Sequence, residues 1–111
     1  MSEHSDADAL LVLTTAPDER VAELLANTLV QERLVACVNI LGGVRSVYQW
    51  QGKVDSASEV LLLMKTTRLA LDALKQRLPA LHPYEVPELI ALRIDDGLPS
   101  YLAWIAAETK P

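Results

Sequence analysis

The chain has 111 residues, of which 50% are hydrophobic and 23% charged, with 10 basic and 15 acidic side chains. This length accommodates one domain with one core, and the composition is too apolar for a disordered chain. The net charge of −5 argues against binding to nucleic acid or to an anionic membrane surface, because both require a basic face.

Four strands and three helices are predicted from the spacing of the apolar residues. Residues 1–8 are polar and predicted to form a mobile tail, and residues 9–111 are predicted to form a single domain. Gly42-Gly43 interrupts the second strand, where we expect a bulge or bend, and Gln51-Gly52-Lys53 is expected to be a hairpin turn. In chain order, the predicted elements are a strand at 9–15, a helix from Pro17 to about Glu32, a strand at 34–41 continued at 44–50, a strand at 54–66, a helix from about Arg68, a strand at 89–95 and a short helix from Pro99.

This order, βαββαβ followed by a terminal helix, predicts an α+β fold of the ferredoxin-like sandwich type with a long β-hairpin. Two right-handed crossovers place both main helices on the same face of one antiparallel sheet. The other face of the sheet then lies open.

The strands do not alternate apolar and polar residues, as a strand with one open face should. In the first strand, for example, Leu10 and Val12 point to one face while Leu11 and Leu13 point to the other. Two helices cannot cover both faces of the sheet, and an exposed apolar face favours aggregation. We therefore expect a homo-oligomer, and a trimer that packs through the sheets suits this geometry better than a dimer through the helices.

His82 is the candidate metal ligand, because it lies in the loop HPYEVPE with Glu85 and Glu88 nearby. Metal binding at His82 would require donors from a neighbouring subunit, since no second histidine or thiolate stands at ligand spacing. The alternative is a loop histidine that hydrogen-bonds to the backbone. Cys37, the only cysteine, lies in an apolar run and is expected to be a core residue.

No enzyme is predicted, because no arrangement of nucleophile and base and no glycine-rich phosphate loop can be recognised. The basic residues that interrupt the predicted strands would either face an anion in a cleft or lie in solvent; they are Arg45, Lys53, Lys65 and Arg93. The acidic, polar start and the absence of a long apolar run indicate a cytoplasmic protein that does not cross a membrane.

Several motifs resemble the CutA family of divalent-cation tolerance proteins. They are TTAPDE, ERLVACVNI, SVYQWQGKV, LLLMKTT, HPYEVPE and YLAWI, in family order from about Leu10 to Ile105. The resemblance implies a homotrimer related to that of PII signalling proteins, no required cofactor, and a role in tolerance of divalent metals, with copper as a candidate ligand. An alternative is a PII-like sensor of a small anionic ligand in clefts between subunits.

The resemblance also implies a set of cleft residues. These are Tyr48, Trp50, Lys65, Tyr84, Glu88 and Trp104, with His82 as the candidate metal ligand. Copper binding in some bacterial members is attributed to one cysteine and two adjacent histidines. This chain has Thr14, Leu81 and His82 at those positions, so two of the three ligands are missing.

Overall fold

The computed structural model describes residues 5–111, and the predicted order of elements is confirmed. The structure contains β1 (Ala9–Ala16), α1 (Glu19–Gln31), β2 (Cys37–Trp50), β3 (Lys53–Thr67), α2 (Arg68–Leu81), β4 (Ile90–Arg93) and α3 (Pro99–Glu108). The four strands form one antiparallel sheet in the order β2-β3-β1-β4, so the predicted α+β class and ferredoxin-like topology are confirmed.

Helix α1 begins two residues later than predicted from Pro17. Asp18 is the N-cap residue: its backbone is extended and its side chain accepts a hydrogen bond of 2.8 Å from the backbone N–H of Val21. This bond satisfies one of the N–H groups that lack a partner in the first turn of a helix, which fixes the start at Glu19.

The main core lies between the sheet and helices α1 and α2. Helix α1 buries Ala22, Leu25, Ala26 and Leu29, which recur at helical spacing. They pack with fully buried residues of the sheet such as Val12.

The opposite face of the sheet is apolar as well, but only one end of it is covered within the chain. Helix α3 packs Ile105 against Ala9 and Ala36 at that end. Beyond α3, apolar side chains that lie opposite one another in the strand register share this face. We call this set the open face: Leu11, Leu13, Leu41, Leu61, Leu63, Ile90 and Leu92. Ile90 and Leu92 are 51% and 47% exposed.

The hairpin of β2 and β3 contains the predicted irregularity at Gly42-Gly43. The pairing register changes between Leu41 and Val44, so β2 has one residue more than β3 across this stretch. Gly43 has a φ of +78°, a conformation that glycine adopts without the steric cost that a side chain would bring. The irregularity is therefore a β-bulge inside one continuous strand.

The predicted tail lies in part outside the described residues, which begin at Ser5. Asp6 and Asp8 accept backbone hydrogen bonds from Leu69 and Arg68 at the start of α2. The mobility of residues 1–8 stays a prediction.

Candidate functional site

A cleft of about 890 Å³ lies between the β2–β3 hairpin and the loop that follows α2. The loop, residues 83–88, forms one wall and the outer part of the hairpin forms the other. The loop contributes Pro83, Tyr84, Glu85, Val86 and Glu88; the strands contribute Thr15, Ser46, Val47, Tyr48, Trp50, Asp55, Ala57 and Glu59.

Four of the six predicted cleft residues line this cleft: Tyr48, Trp50, Tyr84 and Glu88. The other two lie elsewhere. Lys65 is part of the sheet and donates a hydrogen bond to the side-chain oxygen of Asn39. Trp104 belongs to α3 and stacks on Tyr101, with ring centroids 5.6 Å apart.

Glu59 and Tyr84 join the two walls of the cleft. The Tyr84 hydroxyl donates a hydrogen bond of 2.7 Å to Oε2 of Glu59. Partial burial would by itself raise the pKa of the Glu59 carboxyl, but hydrogen bonds from Ser46, Tyr84 and Thr15 outweigh it, and the pKa lies below its ordinary value. Partial burial and the bond to Glu59 raise the pKa of Tyr84. Glu59 is therefore ionised at neutral pH, and Tyr84 remains protonated.

His82 precedes the loop and does not line the cleft; its ring is held by hydrogen bonds to the backbone. The backbone N–H of Tyr84 donates to Nδ1 at 3.1 Å, so Nδ1 carries no proton. Nε2 therefore carries the proton and donates it to the carbonyl oxygen of Thr15 at 2.7 Å. Both ring nitrogens are engaged within the chain, and a metal could bind His82 only if one of these bonds broke.

The positions that correspond to the missing copper ligands are not arranged as a metal site. Thr14 is fully buried, and its hydroxyl has no hydrogen-bond partner in the described structure. Leu81 is half-buried and packs against the main core. Within residues 5–111, no three His, Cys, Asp or Glu side chains are grouped so that they could hold a metal ion.

The charged residues with which a single chain lines this cleft are acidic, and the predicted anionic ligand in clefts between subunits stays a prediction. The lining of the cleft contains four carboxylate residues and, within the described residues, no lysine, arginine or histidine. Lys53 lies opposite Trp50 at the end of the hairpin but does not line the cleft. Arg93 lies away from it, with its guanidinium 3.9 Å from a carboxylate oxygen of Asp8.

Sequence reasoning did not single out Glu59 or Asp55 as site residues. The position of the hairpin turn in the sequence would have been enough to place Asp55 beside the predicted cleft residues, because the turn fixes which residues of the two strands are paired. With Gln51 and Gly52 at the turn, Trp50 pairs with Lys53, and counting outward places Asp55 opposite Tyr48. Directly opposed residues share one face of an antiparallel pair, so the acidic character of the cleft could have been predicted from the turn.

The hydrogen bonds of Glu59 predict a pH-dependent contribution to stability. Because its pKa is lower in the folded protein than its ordinary value of 4.5, its contribution is complete above that value and is lost as pH falls through the folded-state pKa. We expect the free energy of unfolding of Glu59→Gln to be lower than that of the wild type at pH 7. The difference should be below about 1 kcal/mol, since the carboxylate is partly exposed. This difference in the free energy of unfolding should become smaller below pH 4.5, as measured by urea unfolding at several pH values. A difference that is constant with pH would contradict the prediction.

A family model described as CutA1 divalent ion tolerance protein matches residues 10–108. The chain is 52% identical over 99 residues to the divalent-cation tolerance protein CutA of Thermus thermophilus, covering 89% of this chain and 96% of that protein. It superposes on the crystal structure of CutA from Xylella fastidiosa with a TM-score of 0.90 and 48% identity, covering 93% of this chain and 99% of that one.

The relatives differ in length and in the location that is stated for them. The chain spans 54–60% of the length of the curated plant and animal relatives that it matches. One structural relative, from Archaeoglobus fulgidus, is called periplasmic; it is 31% identical, has a TM-score of 0.88 and is matched over 92% of this chain and 99% of its own. Among the described residues, no helix is long and apolar enough to span a membrane.

Proposed function

Since the chain belongs to the CutA1 divalent ion tolerance family, we propose that it acts in tolerance of divalent metal ions, copper included, as a homotrimeric binding or signalling module. The observation that carries the proposal is the family match over residues 10–108, nearly the whole domain. The proposed role is non-enzymatic and needs no resident cofactor. The proposed compartment is the cytoplasm.

The open face supports the trimeric assembly. It presents seven aliphatic side chains beyond the reach of α3, and a soluble monomer rarely leaves so large a contiguous apolar surface uncovered. A second and a third copy of the chain would cover it, and closed symmetry would also remove the unpaired edges of β2 and β4.

The cellular role can be tested in a bacterial strain from which its own CutA relative has been deleted. Expression of this chain is expected to restore growth at Cu²⁺ concentrations that stop the deletion strain. Zn²⁺ and Mg²⁺ series would show whether the effect is general for divalent ions. Equal growth with the chain and with an empty vector, at matched protein levels, would overturn the proposed role.

Direct metal binding at His82 is a separate prediction, and we expect it to fail. Because both ring nitrogens of His82 are engaged, calorimetric titration of the metal-stripped protein with Cu²⁺ should show no micromolar site that depends on this residue. His82→Asn is the comparison variant, because an amide keeps a donor that His82→Ala would remove. Micromolar Cu²⁺ binding in the wild type that disappears in both variants would contradict this expectation and place a metal site in the loop.

A further inference from the structure

The lining of the cleft combines negative charge with exposed aromatic rings. Asp55 and Glu59 contribute carboxylates from the hairpin, and Glu85 and Glu88 contribute them from the loop. Glu59 keeps its charge at neutral pH, because its hydrogen bonds hold its pKa low. The carboxylates thus lie on both walls, so the favourable region for a cation extends across the cleft and is not confined to one point.

The aromatic component comes mainly from one strand. Tyr48 and Trp50 are two residues apart on β2, so they project to the same side, and they remain 40% and 45% exposed. Tyr84 lines the cleft from the loop. The face of an aromatic ring attracts a cation, and with carboxylates nearby such rings suit an organic ammonium group better than an anion.

The spread of the charges distinguishes an organic cation from a metal ion. A divalent metal needs several ligands within coordination distance of one point, and the described residues offer no such group. A cleft of about 890 Å³ is instead the size of a site for a small organic molecule. Val47 and Val86 add apolar side chains to the lining.

We infer that this cleft binds linear aliphatic polyamines. The ammonium groups of such a molecule lie near the carboxylates of the two walls, and its methylene segments lie along the rings of Tyr48 and Trp50 and along Val86. This inference goes beyond the proposed role in metal tolerance and does not depend on it, because it rests on the cleft alone.

The test uses spermidine as the probe and Trp50 as the reporter. Trp50 and Trp104 are the only tryptophans of the chain, so the full-length variant Trp104→Phe isolates the fluorescence of Trp50. We expect spermidine to change this fluorescence with saturation below about 1 mM at low salt. The same series with Mg²⁺ at equal ionic strength should give no saturable change.

Two changes in the Trp104→Phe background test the two components of the site, with calorimetry as the readout. The double change Glu85→Gln and Glu88→Gln should weaken spermidine binding about three- to tenfold, since both carboxylates are exposed. Trp50→Leu keeps an apolar side chain but removes the ring face, and should weaken binding about two- to fivefold.

The matched control removes the same charge from the helices. Glu23 on α1 and Asp72 on α2 are exposed and lie outside the cleft lining, so the double change Glu23→Gln and Asp72→Asn should leave the affinity within twofold of its parent. Absence of saturable spermidine binding would overturn the inference. An equal loss of spermidine affinity in the control variant would also overturn it, because it would indicate nonspecific attraction to an acidic protein. An equal fluorescence response to Mg²⁺ would overturn it too, because it would indicate a metal site.

Discussion

Replacing Leu63 by lysine is expected to convert a trimer into monomers at micromolar protein concentration. Leu63 lies on the open face, opposite Leu13 on one neighbouring strand and Asn39 on the other. In the proposed trimer this position is covered by another subunit, so the lysine would place an unpaired charge in each apolar interface. An uncompensated buried charge costs about 3–5 kcal/mol, and closed symmetry repeats that cost at every interface.

Light scattering coupled to size exclusion would measure this change directly. The wild type should have the mass of three chains of 12.2 kDa, and Leu63→Lys should have the mass of one. Leu24→Lys is the matched control, because Leu24 is an exposed leucine of α1 on the helical side of the molecule. A monomeric wild type, or a Leu63→Lys variant that stays trimeric, would contradict the proposed assembly.

Leu62, the residue next to Leu63, gives the second large effect. Truncating it is expected to lower the stability of the protein, and this loss should depend differently on protein concentration. Leu62 is fully buried in the main core between the sheet and the two helices. Leu62→Ala is expected to lower the free energy of unfolding by about 2–5 kcal/mol, because it removes buried apolar groups and leaves a cavity. This loss should be the same at low and high protein concentration, since the cavity lies within one subunit.

Leu63→Ala is the control for Leu62→Ala, since it makes the same truncation one residue away. In the proposed trimer, the stability that it removes belongs to the contact between subunits, so guanidinium unfolding at two protein concentrations should show a larger loss at the lower one. An identical, concentration-independent loss for both variants would show that the two faces of β3 do not have the different roles proposed here.

The sequence was sufficient to predict the topology because the fold depends on periodicity and order. Helical spacing in α1, the continuous apolar strands and the glycine pair in β2 each indicated an element that the structure contains. The predicted ends of the helices and strands were less accurate than their order. The start of α1 depends on whether the side chain of Asp18 caps the helix, which is decided by local geometry and not by spacing.

The cleft was predicted only in part, because its character depends on which side chains meet in space. The family motifs pointed to Tyr48, Trp50, Tyr84 and Glu88, but motifs do not show the partners of a residue. Lys65 donates a hydrogen bond to Asn39 within the sheet and does not line the cleft. The hydrogen bond between Glu59 and Tyr84 joins residues 25 positions apart, and no pattern in the sequence indicates it.

The extra residue at the bulge in β2 decides which side of the molecule carries the aromatic rings. Before the bulge, the odd-numbered residues of β2, such as Leu41, lie on the open face; after it, the even-numbered residues do, since Val44 pairs with Glu59 and Tyr48 with Asp55. If both glycines instead continued the ladder one for one, without a bulge, the alternation of the inner part of β2 would run on to the end of the strand. Tyr48 and Trp50 would then point toward the helical side, and the cleft would lose one of its walls while every cleft residue remained in the chain.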